Sequence, residues 1–212
     1  MIVFKNATLT CERYVLGPMD VNTYLIWDEV SREAIIVDPA DADEVFLSRL
    51  EELALTKVSI FLTHGHADHI PGIPGIKAAT GAMVMCSEED APMLTDPDTN
   101  LSSALVMPFT VDAADLYLRH GLCISIGEHN ALVGSLPGHT PGGLILIFDE
   151  FVITGDTLFS GSIGRSDLPG GDGELLIRGI KDSLLTLDDR MVLPGHGPET
   201  TISEEKRKNP FL

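Results

Sequence analysis

The stretch Thr63-His64-Gly65-His66-Ala67-Asp68-His69 places three imidazoles and one carboxylate within six consecutive residues. Neutral imidazole and carboxylate are good ligands for zinc, iron and manganese, and their alternation sends side chains to both sides of an extended loop. Such a loop can serve two metals at once. The apolar run Val58-Ser59-Ile60-Phe61-Leu62 before it reads as a buried strand, with Thr63 at its carboxyl end, where loops of layered α/β sheets carry their sites.

Three more donors share that context. In Leu136-Pro137-Gly138-His139-Thr140-Pro141, and again in Leu193-Pro194-Gly195-His196-Gly197-Pro198, a strand is stopped by Pro-Gly and leaves one histidine on a sharply turned loop. Two similar sheets placed edge to edge would bring these loops together. Asp156, in Phe151-Val152-Ile153-Thr154-Gly155-Asp156-Thr157, is released from a buried strand by a glycine; alone, such an aspartate reads equally as a helix cap. Together His64, His66, Asp68, His69, His139, Asp156 and His196 supply the seven donors that two adjacent metals need when one carboxylate bridges them and water fills the rest. His120 and His129 lie in polar turns and read as surface residues.

Composition narrows the function classes. The 212 residues are 44% hydrophobic, enough for a substantial core, and no linker divides them. A net charge of -18 opposes a nucleic-acid role, because phosphate binding needs a basic surface, and it disfavours membrane surfaces as well. Most acidic residues read as solvated surface, as in Asp41-Ala42-Asp43-Glu44 and Ser87-Glu88-Glu89-Asp90. Cys11, Cys86 and Cys123 form no Cys-x-x-Cys pair and read as small core residues in a reducing compartment. No secretory or membrane-length apolar segment is present, so a soluble, cytoplasmic protein is expected.

Hydrophobic patterning predicts strands over 2–10, 23–27, 34–37, 58–62, 82–86, 122–126, 131–136, 144–148, 151–154 and 191–193. It predicts helices over 42–54, capped by Asp41, and over 73–79, 88–94, 173–187 and 202–208. The acidic stretch 95–115 carries no pattern that selects a structure.

With these motifs in place, the chain resembles the metallo-β-lactamase fold, and within it the short bacterial type of the hydroxyacylglutathione hydrolase (glyoxalase II)-like branch. The likeness runs through the histidine loop, Gly138-His139-Thr140-Pro141-Gly142, Gly155-Asp156-Thr157-Leu158-Phe159 and Pro194-Gly195-His196-Gly197. It implies an α/β (α+β) fold: a single-domain αββα sandwich over residues 1–212 without a separate carboxy-terminal helical domain. It also implies two divalent ions, zinc or iron with manganese as a further candidate. His64, His66 and His139 would hold the first, Asp68, His69 and His196 the second, and Asp156 and a hydroxide would bridge them.

The glycine-rich run Ser160-Gly161-Ser162-Ile163-Gly164-Arg165-Ser166-Asp167-Leu168-Pro169-Gly170-Gly171-Asp172 resembles the corresponding loop of that branch. Arg165 there could orient a ligand carboxylate or hold a substrate carboxylate, or it could pair with Asp167 or Asp172 and stiffen the loop. Larger glyoxalase II enzymes add a helical extension that contacts glutathione, whereas this chain ends at Leu212, soon after His196.

The expected reaction is hydrolysis of small thioesters such as S-lactoylglutathione. Two cations lower the pKa of bound water from ~16 toward ~7, and a thiolate whose conjugate acid has a pKa of ~8.5 departs without a strong general acid. Asp68 and Asp156 are the expected catalytic carboxylates, Asp68 orienting the attacking hydroxide. The alternative within the family is a persulfide dioxygenase with one iron on His64, His139 and Asp156. Lactone hydrolysis and a non-enzymatic metal-binding module rank below both, and the sequence does not specify an oligomeric state.

Overall fold

The computed structural model describes residues 1–212. Its first sheet runs in chain order: β1 (Ile2–Lys5), β2 (Leu9–Leu16), β3 (Val21–Asp28), β4 (Glu33–Val37), β5 (Lys57–Phe61), β6 (Met83–Ser87) and β7 (Leu116–Leu118). The first four strands pair antiparallel, and β4 to β7 pair parallel through crossovers that carry α1 (Glu44–Glu52), α2 (Ile73–Thr80) and α3 (Ala91–Thr95).

The second sheet contains β8 (Cys123–Ile126), β9 (His129–Ser135), β10 (Leu144–Ile147) and β11 (Phe151–Gly155). A small separate hairpin follows, β12 (Leu158–Phe159) with β13 (Ser162–Ile163), before β14 (Met191–Pro194) and β15 (Thr200–Thr201) complete the sheet in the order β15-β14-β11-β10-β9-β8. Helices α4 (Gly173–Asp182) and α5 (Ile202–Lys208) cover its outer face.

Strand alternation explains why this becomes four layers. In β3, Val21, Leu25 and Trp27 face Phe46 and Leu50 of α1 and Ile73 and Ile76 of α2, whereas Tyr24 and Ile26 face the other sheet. In β11, Phe151 and Ile153 face the first sheet, and Val152 faces Leu176 and Ile180 of α4. Strands buried on both faces must be apolar throughout, which is why these segments read as continuous hydrophobic runs. Complete burial of Trp27, Tyr24 or Phe61 contributes ~2–3 kcal/mol each, enough to fix which face is which. The result is the expected αββα sandwich. No helix is long and apolar enough to cross a membrane.

The site follows from strand direction. Parallel β4, β5 and β6 release their carboxyl ends at one edge of the first sheet, and β9, β11 and β14 release theirs at one edge of the second. The Pro-Gly-His loops therefore leave strands of the same sheet. The two sheets stack face to face rather than edge to edge, because Ile35, Val37, Phe61 and Met85 must be covered by Val133, Leu146, Phe151 and Ile153.

Several local expectations change. The strand predicted over 2–10 is two strands, because the Asn6 side chain accepts from Thr8 N and Leu9 N at 2.9 and 2.7 Å and turns the chain. Helix α1 is capped by Asp43, whose carboxylate accepts from Phe46 N at 2.7 Å, and not by Asp41. The segment predicted as helix 173–187 breaks after Asp182 into a single 3-10 turn, Leu184–Thr186. Cys123 is exposed, not core, since β8 is an edge strand whose alternate residues face outward. His129 is half-buried with its Nε2 at 3.4 Å from the buried Asp28 carboxylate, where a surface residue was expected. The 95–115 stretch forms one 3-10 turn, Ser102–Ala104, and an extended return that delivers β7.

Candidate metal centre

All seven donor residues predicted from sequence meet at the common edge of the two sheets. His64, His66 and His139 form one group of mutually close ligand atoms, and Asp68, His69 and His196 form another. Asp156 stands between them: Oδ2 lies 3.7 Å from His139 Nε2 and 3.7 Å from His196 Nε2, and Oδ1 lies 3.6 Å from His69 Nε2. His196 Nε2 and His69 Nε2 lie 3.4 and 3.6 Å from Asp68 Oδ2, and His66 Nδ1 lies 3.0 Å from His139 Nε2. A tetrahedral ion with ligand bonds of about 2.1 Å holds its donors about 3.4 Å apart. These separations suit that geometry.

Hydrogen bonds behind the imidazoles fix their tautomers. Asp38, at the end of β4, accepts from Thr63 N at 2.8 Å and from the Thr63 hydroxyl at 2.6 Å. Because a carboxylate only accepts, the single Thr63 proton goes to Asp38, and Thr63 Oγ1 must accept from His64 Nδ1, 3.0 Å away. His69 Nδ1 donates to Asp38 Oδ2 at 3.0 Å, and His139 Nδ1 donates to the Arg165 carbonyl at 2.7 Å. Each of these rings then turns its Nε2 toward the centre. Buried His64 Nε2, His69 Nε2 and Asp156 Oδ1 have no hydrogen-bond partner. Buried ligand atoms that converge on one another without a hydrogen-bond partner are costly unless a cation satisfies them, so the residues present fit a metal pair.

Charge separates the two groups. Burial, reinforced by the neighbouring imidazoles, pushes His64 well below the usual histidine value, and the same causes bring His66 down to about 3. Burial would also depress His69, but the carboxylates of Asp68, Asp156 and Asp38 outweigh it and hold this ring up at about 10. His196 is raised against its own burial by Asp68 and Asp156, while burial of the Asp68 carboxyl is overcome by His69 and His196, which hold it below the carboxylate range.

Two glycines make the convergence possible. Gly155 has φ +49° and packs against Thr63, so the chain turns out of β11 and presents Asp156. A Cβ on Gly195 would collide with the Asp156 carboxylate and come within 3.0 Å of the His69 ring. The His196 loop is held from the other sheet, where Asn22 Nδ2 and Tyr24 Oη both donate to Pro194 O, at 2.9 and 2.7 Å.

Some supporting residues escaped the sequence reading. Asp38 lay unremarked at a strand end, although an Asp-Pro closing an apolar run was a usable signal. Asp90, read there as solvated, is fully buried; its carboxylate accepts from Thr140 Oγ1 and Gly142 N at 2.7 Å each and clamps the His139 loop. Arg165 serves His139 through its carbonyl, not through a guanidinium on a ligand carboxylate. Its guanidinium makes two 2.8 Å bonds to Asp167, whereas Asp172 caps α4 by accepting from Leu175 N.

A sequence profile described as the metallo-beta-lactamase superfamily matches residues 16–196. The chain belongs to the metallo-beta-lactamase superfamily. Among its relatives, a hydroxyacylglutathione hydrolase, GloC, of Haemophilus influenzae is 39% identical over 90% of this chain and 92% of its own. The crystal structure of the BLEG-1 B3 metallo-beta-lactamase superposes with a TM-score of 0.89 at 36% identity, covering 95% of this chain and 99% of that one. A di-iron-bound form of TTHA1623 superposes at 0.83 with 33% identity, covering 95% and 100% of the two chains. This member of the metallo-beta-lactamase superfamily is a metallo-hydrolase that acts on a small molecule with divalent metal.

Proposed function

We propose that this hydrolase cleaves acyl thioesters of the hydroxyacylglutathione type, with one divalent ion on His64, His66 and His139, a second on Asp68, His69 and His196, and Asp156 shared. The observation that carries this reading is the convergence of two ligand groups on one carboxylate, with unpartnered ligand atoms facing inward. Zinc and iron are the proposed identities, because an imidazole-rich set with two carboxylates suits both. A pair of such cations supplies hydroxide at neutral pH and polarises a carbonyl.

The protein's own groups do the rest. Asp38 and the Arg165 carbonyl hold three imidazoles in register, so no reorganisation is needed when substrate arrives. Asp68 Oδ2, 3.4 Å from His196 Nε2, is placed to accept a hydrogen bond from the attacking water and orient it. The cleft above the site contains no lysine, tyrosine or cysteine to protonate a leaving group. That favours a thiolate, which leaves unprotonated near neutral pH, over an amine or alkoxide. The 39% identity to a hydroxyacylglutathione hydrolase supports the same substrate class.

Metal analysis of the purified enzyme, combined with S-lactoylglutathione hydrolysis and oxygen uptake on glutathione persulfide, tests the proposal. We expect up to two first-row ions per chain and thioester hydrolysis that falls further in Asp156→Ala than in His196→Ala. Oxygen consumption with persulfide and no thioester cleavage would replace the hydrolytic reading with that of a mononuclear-iron dioxygenase.

A further inference from the structure

The cleft over the metal-site residues has a volume of about 760 Å³, and its wall beyond them is apolar. Pro18, Met19, Pro71, Leu105, Phe109 and Leu168 line it. Met19 is 56% exposed and Leu105 49%, and the next two residues, Val106 and Met107, stand in solvent. Scattered exposed apolar residues need no explanation, but a group of them gathered around one reactive cleft marks a binding surface.

The polar groups of the wall are already engaged. Asn100 Nδ2 donates to Phe109 O at 3.1 Å and its Oδ1 accepts from Ser102 N at 2.8 Å. The only cation, Arg165, is held by Asp167 through both oxygens. The remaining charge, Asp41, is negative. Glutathione carries two carboxylates and an ammonium, and a protein of net charge -18 offers no free cation here for the carboxylates.

The apolar wall is also a fixed one. Ser102 Oγ donates to Phe109 O at 2.9 Å and accepts from Phe109 N at 3.0 Å, closing the base of the 102–109 loop. Asn100 O accepts from Ala67 N at 2.9 Å, which ties that base to the histidine loop. These bonds pin the base of the loop that carries Leu105 beside the histidine loop.

We infer that glutathione thioesters are turned over with weak binding, and that the preferred substrates are uncharged thioesters carrying an aliphatic or aryl arm that lies along Met19, Leu105 and Phe109. This rests on the thioester reading above. The test uses neutral thioesters in two series, acyl chains of two to eight carbons on N-acetylcysteamine and acetyl thioesters of alkanethiols of the same lengths, with S-lactoylglutathione for comparison. In parallel, calorimetry measures binding of acetate, butanoate, hexanoate and octanoate to the metal-loaded enzyme.

Each methylene that enters the cleft should raise kcat/KM or tighten binding about twofold to fourfold in at least one series. Met19→Ser and Leu105→Ser should flatten that slope, and because both side chains stand in solvent the folded state should persist, as far-UV circular dichroism will show. Chain-length dependence in carboxylate binding without any thioester turnover would sink the thioester reading and leave the apolar cleft standing. Flat profiles in every series, or a kcat/KM for S-lactoylglutathione above that of the best neutral thioester, would overturn the inference.

Discussion

Asp38 touches no substrate in the proposed reaction, yet it sets two imidazoles, His69 directly and His64 through Thr63. Partners that orient a metal ligand are typically worth 10–100-fold in affinity or activity. Asp38→Ala should therefore weaken metal binding by about that factor, measured by chelator competition, while Asp38→Asn, which keeps one acceptor, should lose less. Gly195→Ala should reduce metal content because its Cβ invades the space of Asp156 and His69, whereas Gly197→Ala, with φ +75° but nothing within 4 Å, should cost only ~1 kcal/mol of backbone strain and keep its metal. The seven donors were legible because their chemistry is written in residue type and local spacing. Asp38 and Asp90 were not, since an aspartate's role depends on partners 25 to 52 residues away that only the fold supplies.

Among elements, the long two-face-buried strands were readable from hydrophobicity alone, because burial demands it. Short pieces were not. The β12–β13 hairpin has two residues per strand and no pattern to detect; it is held in place by a buried carboxylate. Glu205 of α5 accepts from Gly161 N at 2.9 Å, Thr200 Oγ1 at 2.6 Å and Asn209 Nδ2 at 2.7 Å, and Asn209 Nδ2 also donates to Ser162 O at 3.0 Å. The terminal helix is thus bonded to the hairpin that leads into the Arg165 loop. Glu205→Ala removes the acceptor shared by Gly161 N, Thr200 Oγ1 and Asn209 Nδ2 and should cost about 1–3 kcal/mol, lowering Tm by roughly 3–10 °C. Calorimetry checks this. A truncation after Glu204 removes both Glu205 and Asn209 and should lose more.

At the scale of the molecule, the two ligand groups should take up metal with different proton stoichiometry. Coordination requires a lone pair, so a protonated imidazole must release its proton first. His69, held at about 10, and His196, also raised, carry protons at pH 7; His64 and His66, both depressed, do not. Metal affinity of the second group should rise as pH climbs from 6 toward about 10, because His69 must give up its proton over that range. Titration in weak buffer at pH 7 should show proton release as the group of His69 and His196 fills; uptake of metal without proton release would contradict the assignment. In the metal-free chain, the raised His69 stabilises the fold fully below ~6.5 and loses that contribution as pH passes through about 10. His64 and His66 oppose it, costing stability as pH falls below ~6.5.

Each proposed cation draws two ligands from the loop after β5 in the first sheet and two from loops of the second, His139 or His196 together with the shared Asp156. It is therefore a removable crosslink between two halves of the chain, much as a disulfide would be but governed by solution metal. Free metal at 100 times its Kd should add ~2.7 kcal/mol per site to unfolding, so Tm should climb with metal concentration and drop on chelation. The ligand-bearing edge, once uncoupled, should be the first to exchange its amide protons. Metal starvation in a cell would then do more than idle such an enzyme, because the uncrosslinked chain opens more often and meets proteases more often.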